Sequence, residues 1–247
     1  MKAYLFLLFL VVCLFVPVSA VHASEKIKLT TTEWKPYVGS RLKNQGYVAE
    51  LVIAAFKRSG KDVKIIFVPW ARAVRLAEAK AVDGYFPEYY SDNLKKNFFV
   101  SDPFPGGPLG FFKRKGERIT IKRLTDLKPY KIGVVRGYIN TAEFDAAHYL
   151  MKDEATDDLM NFNKLIKGRI DLVVCDKFVG QFLLKQELSS SAERIEFVSP
   201  PLEEKKLYIC IGKNGTNSEQ NIKAFNDGLK EMKADGSIAA IIKKNGL

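Results

Sequence analysis

Aromatic rings and carboxylates, rather than nucleophiles or metal ligands, carry the chemistry this chain can perform. The stretch 67–104, FVPWARAVRLAEAKAVDGYFPEYYSDNLKKNFFVSDPF, sets Trp70 and Arg72 at the start of an amphipathic run. Tyr85, Glu88, Tyr89 and Tyr90 follow a short apolar one. The stretch holds no nucleophile–base pair and no metal-ligand spacing. No G-x-S-x-G, H-E-x-x-H or P-loop pattern occurs elsewhere. His148 lies on an expected helix with no Cys or His at ligand spacing. These residue types suit noncovalent capture, with ring faces for a ligand's body and charges for its polar ends. Neither a metal nor a cofactor is expected.

Residues 1–23, MKAYLFLLFLVVCLFVPVSAVHA, order one lysine, an apolar run from Leu5 to Val16 and small residues before Ser24. That is the layout of a secretory signal, and Pro17, Ser19 and His22 make the run too short for a membrane span. Cleavage after Ala23, with Ala20 as the alternative, removes 23 of 247 residues, leaves 224 and lowers the net charge from +11 to +10. A soluble periplasmic protein, monomeric and of one large domain or two modest lobes, is expected. The basic residues are scattered in twos and threes, with no run of five or six, so a solvated surface is expected and not a nucleic-acid partner. Cys175 and Cys210 end the apolar runs DLVVC and KLYIC. They are read as buried free thiols, with a disulfide as the alternative, since two cysteines make no disulfide framework.

The elements that must position these residues alternate. Strands are expected at 26–32, 63–68 and 84–86, with helices at 46–58 and 71–81. After the turn-rich PFPGGP at 103–108 comes a strand at 109–112. A second series follows: strand 131–135, helices 142–150 and 157–167, strand 171–175, helix 177–186 and strand 196–199. A strand at 207–211 and helices at 219–234 and 237–244 close the chain. Such β-α-β series imply parallel sheets covered by helices. Two such lobes, joined by the strands at 109–112 and 207–211, leave a cleft beyond the strand ends. Trp34, Tyr37, Trp70, Tyr85, Glu88, Arg136, Tyr138 and Asp176 lie at those ends. Alternation along a strand keeps Tyr85, Tyr89 and Tyr90 from all facing one site. Asp176 also reads as the N-cap of the helix after it.

Five segments in order, GYVAELVIAAFKRSG, VDGYFPEYYSDNLKKNFFVSDPF, KIGVVRGYIN, KGRIDLVVCD and FNDGLKEMKADGSIAAIIKKNG, make the chain resemble the periplasmic solute-binding proteins of family 3, the polar-amino-acid group. The resemblance implies an α/β, two-lobed type II periplasmic-binding-protein fold. It places a first lobe at 24–108, a second at 109–206, and a return crossing with helices packing on the first at 207–247. It implies pocket roles for Trp34 or Tyr37, for 86–89 and for backbone N–H groups at 137–141, with Asp176 taking an ammonium group. The family's carboxylate-binding Arg lies seven residues before the Ser of the SDPF-like motif, where this chain has Leu94. Arg72 and Arg136 are the substitutes to examine.

A non-enzymatic protein that captures a small polar solute by lobe closure, for a permease or a sensor, is therefore expected. The alternatives are a dehydratase-like enzyme with Glu88 as its acid, and a stand-alone sensory partner of a membrane receptor.

Overall fold

The structure is a computed structural model describing residues 26–213 and 215–245. The segment read as an export signal lies outside the described residues.

The first lobe is a parallel core in which β1 (Ile27–Thr31) is flanked by β2 (Val63–Phe67) and β3 (Gly84–Glu88). Helix α1 (Tyr47–Arg58) buries Val48, Leu51, Val52, Ala55 and Phe56, the one-face spacing of an amphipathic helix. Helix α2 (Trp70–Glu78) starts at the first residue after Pro69, which serves as its N-cap. The short β4 (Phe98–Val100) then leads into β5 (Phe104–Arg114).

The second lobe contains β6 (Lys131–Val135), α3 (Ala142–Ala146), β7 (Met151–Ala155), α4 (Asp158–Ile166), β8 (Leu172–Asp176), α5 (Lys177–Gln186) and β9 (Ile195–Phe197). The chain returns through β10 (Glu203–Gly212) to α6 (Ser218–Ala234), which packs on α1, and α7 (Ser237–Lys244). The strand order is β2-β1-β3-β10-β5-β8-β6-β7, with β4 on β10 and β9 on β5.

Two long strands join the lobes, as expected. The C-terminal part of β10 pairs with β3 and β4, and its N-terminal part with β5. Beyond that pairing, Leu109–Lys113 of β5 pairs with β8. The expected turn at 103–108 is instead extended, since β5 already begins at Phe104 and pairs with β10 there, and this crossing requires Gly107. A Cβ there would lie 2.3 Å from the Tyr37 hydroxyl oxygen.

A second expectation fails. The helix over 142–150 stops at Ala146, and Met151–Ala155 forms an edge strand beside β6. Lys152 explains the stop: its ammonium donates to the carbonyls of Phe144 (2.7 Å) and Asp145 (3.0 Å) at the helix end. The strand escaped detection because MKDEA has no apolar alternation. At an edge, its polar side chains are held by ion pairs instead, Asp153 with Lys131 (2.6 Å) and Lys164 (2.5 Å), and Glu154 with Arg136 (2.9 Å).

Candidate functional site

The loop after β1 closes on itself, with Trp34 and Val38 exchanging backbone hydrogen bonds of 2.9 and 3.1 Å. This brings the Trp34 and Tyr37 rings into a stack, centroids 4.5 Å apart. Gly46, at φ 93°, lets the backbone before α1 pass so close that a Cβ would sit 2.5 Å from the Tyr37 carbonyl oxygen. Tyr37 is thereby fixed, fully buried, and aimed at the other lobe.

Its hydroxyl donates to Asp176 Oδ2 at 2.9 Å, and the Tyr89 hydroxyl donates to the same oxygen at 3.2 Å. Asp176 Oδ1 accepts the backbone N–H groups of Phe178 (2.9 Å) and Val179 (3.2 Å), so Asp176 is also the cap of α5. Burial pushes the Asp176 carboxyl up to about 6, against the downward pull of these four donors. Burial, joined by the neighbouring Asp176 charge, keeps the Tyr37 and Tyr89 phenols protonated, as donors.

Glu88 lies along the same seam, 5% exposed. It accepts the Tyr89 N–H (2.8 Å) and the Tyr85 hydroxyl (3.2 Å). Burial pushes its carboxyl up to about 8, while those two donors and Lys205 hold it from rising further. Lys205, buried on β10, donates to the Asn140 carbonyl at 2.8 Å, sits 3.2 Å from Glu203 and lies over the Tyr89 ring at 5.0 Å. The Trp70 indole N–H donates to the Gly137 carbonyl at 3.1 Å, and its ring meets Tyr85 and Tyr138 edge-on. The lobes thus meet directly, and the space left between Trp34, Trp70, Glu88, Tyr89 and Tyr138 is about 20 Å³.

A larger cleft adjoins this seam and shares Thr32, Trp34 and Tyr138 with it. Its volume is about 790 Å³. The ends of β1 and β2 form one wall; residues 156–159 and α5 form the other. Lys35 and Glu187 span it as an ion pair at 3.6 Å. Asp158, 6% exposed, lines the second wall against the Cys175 thiol and the Trp34 indole. Burial pushes its carboxyl up to about 7, and the charges of Asp157 and Asp176 push the same way. Asp157 beside it is exposed and caps α4 through the Met160 N–H at 2.8 Å.

Of the residues picked from sequence, Trp34, Tyr37, Trp70, Tyr85, Glu88, Tyr138 and Asp176 are gathered along the seam. Arg72 and Arg136 are not. Arg72 stands exposed on α2, and Arg136 is exposed and bound to Glu154 at 2.9 Å. Leu94 packs with the cluster of Trp70, Tyr85 and Phe98, so an apolar contact occupies the place of the family's cation. Tyr90 faces outward against Tyr208. Cys175 and Cys210 are buried free thiols.

Asp158 and Lys205 escaped the sequence reading. The pair Asp157-Asp158 before an apolar run reads as a cap alone. Lys205 is hidden in EEKKL, although strand alternation there does bury Lys205 and Leu207 and expose Lys206.

Comparison with known proteins agrees with this architecture. The L-cystine-binding protein TcyJ of Escherichia coli K12 is 26% identical over 211 residues, covering 84% of this chain and 76% of the relative. An ancestral arginine-binding protein bound to arginine superposes with a TM-score of 0.76 at 22% identity, over 90% of this chain and 98% of that one. A histidine kinase sensor domain with similarity to periplasmic binding proteins gives 0.77 at 17% identity, over 89% and 95%. The family model of the bacterial extracellular solute-binding proteins, family 3, matches residues 28–246. With two α/β lobes, two joining strands and a cleft at the strand ends, this chain belongs to that family.

Proposed function

We propose that the protein is an exported binding protein whose lobes close on a small polar solute and present it to a membrane permease. The observation that carries this reading is the 790 Å³ cleft between the lobes, at the carboxyl ends of β1 and β2 and walled by rings and charges. The cystine- and arginine-binding relatives support an amino-acid-like solute. In this reading residues 1–23 are removed on export, residues 24–108 with 207–247 form one lobe, residues 109–206 form the other, and the mature chain acts as a monomer. It turns nothing over. Glu88, the candidate acid of the enzyme alternative, faces a space of about 20 Å³, roughly one water's worth and too small for a substrate. The likeness to a kinase sensor domain favours a second reading, in which the loaded protein engages a receptor rather than a permease.

The test is mass spectrometry of the protein as purified, followed by a thermal-shift screen of amino acids, opines, dicarboxylates and polyamines. Saturable stabilisation by at least one is expected. A screen without a single hit refutes the reading. N-terminal sequencing of the exported chain should begin at Ser24. Co-purification with a receptor ectodomain instead of a permease would select the sensory reading.

A further inference from the structure

We propose that a second site, for a phosphate group, lies at the base of the first lobe, in the groove between Lys26, Lys61, Lys80 and the start of α6. It stands apart from the solute cleft and does not rest on the binding-protein reading.

The groove, of about 360 Å³, runs along the amino ends of the parallel strands. Its lining comes from the start of β1, from Lys61 ahead of β2, from residues 80–83 ahead of β3 and from Gly212 at the end of β10. The solute cleft opens at the other ends of β1 and β2, five residues and roughly 16 Å along the strands. The two share no lining residue among those described.

Charge is the first argument. Lys26, Lys28, Lys61 and Lys80 line the groove against one carboxylate, Asp83. Asp83 is engaged by the floor, where its Oδ2 accepts the Lys28 backbone N–H at 2.7 Å. Lys26, Lys61 and Lys80 have no ion-pair partner among the described residues. Like charges gathered without a counterion repel, and a bound anion relieves that repulsion.

Directed donors are the second. The 17-residue α6 starts on the groove wall, and the side chain of its N-cap, Asn217, does not take up the first-turn N–H groups. Asn221, one turn in, is 4% exposed and lines the same groove, yet its amide makes no hydrogen bond with the described residues. A buried amide requires a partner, and an anion at the helix start supplies the acceptor. Glu219, the acidic residue of that turn, is exposed and does not line the groove.

These features select a tetrahedral oxyanion over a carboxylate. No arginine lines the groove, so the two-pronged pairing that suits a planar carboxylate is missing, whereas separate ammonium groups can surround a phosphate from several sides. The volume lies in the range of small-molecule sites, roughly 300–1,000 Å³, so the phosphate can be carried by a soluble monoester or by a phospholipid headgroup.

The test measures inorganic phosphate and glycerol 3-phosphate by titration calorimetry on the full mature protein at fixed ionic strength. Sedimentation with phosphatidylglycerol vesicles is measured in parallel, phosphatidylcholine vesicles giving the background. Binding to a soluble phosphate, to phosphatidylglycerol or to both is expected; the first alone identifies a free phosphate as the source, the second alone a headgroup. Lys26→Gln with Lys61→Gln and Lys80→Asn should weaken it at least tenfold. Lys80 stands at φ 60°, which Asn tolerates, so this variant keeps the backbone. Lys167→Gln with Arg169→Gln and Lys185→Gln removes as much charge from exposed positions of the second lobe and should change binding less than twofold. Asn221→Asp should abolish binding with the melting temperature unchanged or raised, since a carboxylate near a helix N-terminus favours the fold while repelling the anion. Should Asn221→Asp fail to fold, the two triple variants decide. Absence of binding in every arm, binding indifferent to the first triple variant, or equal weakening by both triple variants overturns the inference. The amino-acid screen of the solute cleft is read separately and is unaffected by any of these results.

Discussion

The seam and the outer cleft are built from the same materials to opposite ends. Both bring aromatic rings and a buried carboxyl from one lobe against the other. At the seam every carboxyl oxygen of Asp176 and Glu88 has a donor from the protein itself. Direct cross-lobe bonds from Tyr37, Tyr89 and Trp70 close it. In the cleft the lobes stand apart, and among the described residues the Lys35–Glu187 pair and the Trp34 indole against Asp158 reach across. A recognition residue becomes a structural one when its partners are supplied by the fold. The seam is the part of the site that the protein has satisfied by itself.

The largest effect expected of this contrast is a pH dependence. Glu88, Asp158 and Asp176 are all raised by burial, to about 8, 7 and 6, from ordinary values of 4.5 for Glu and 3.8 for Asp. In the window between each ordinary and folded value, the folded protein holds a proton that the unfolded chain has released. Their stabilising contribution is therefore complete below about pH 4 and is lost as pH rises through 6, 7 and then 8. Each group costs on the order of 1.4 kcal/mol per pH unit inside its own window. Urea denaturation from pH 5 to 8 should show stability falling, and Glu88→Gln, uncharged throughout, should flatten the upper part of that slope. An unchanged slope in the variant would remove Glu88 from the account.

Next in size is the removal of the seam's own donors. Tyr37→Phe with Tyr89→Phe leaves Asp176 Oδ2 without either hydroxyl, and the loss should be about 2–5 kcal/mol in denaturant, from roughly 1–3 per buried group. If the double variant is as stable as the parent, the seam is not closed by these bonds and the distinction from the cleft collapses. The smallest effect belongs to the cleft's bridge. Lys35→Ala removes a partly exposed ion pair and should change stability by no more than about 1 kcal/mol. A larger loss would mean that the bridge, too, holds the lobes shut.

Much of this was legible in the residues. The helical spacing of Val48 to Phe56 and the order of strands follow from short-range periodicity. The N-cap reading of Asp176 and its place at a strand end were both correct, for one side chain does both. Leu94 signalled that the family's carboxylate contact is missing. Its replacement was not legible: Arg72 and Arg136 are near the site in sequence, but helix phase and an edge-strand partner turn them outward. Asp158 was invisible because its burial depends on Trp34, which comes from the other lobe.

The sequence by itself determined the two-lobed alternation, the joining strands and the gathering of aromatic and charged residues at strand ends. Caps, turns and apolar periods act over a few residues and need no knowledge of the rest of the chain. Only the tertiary structure decided which carboxyls are buried and which groups of the opposite lobe satisfy them. That outcome rests on contacts such as Tyr37 with Asp176, 139 residues apart. Such a bond forms only when two lobes meet at one distance and angle, and no local pattern records that.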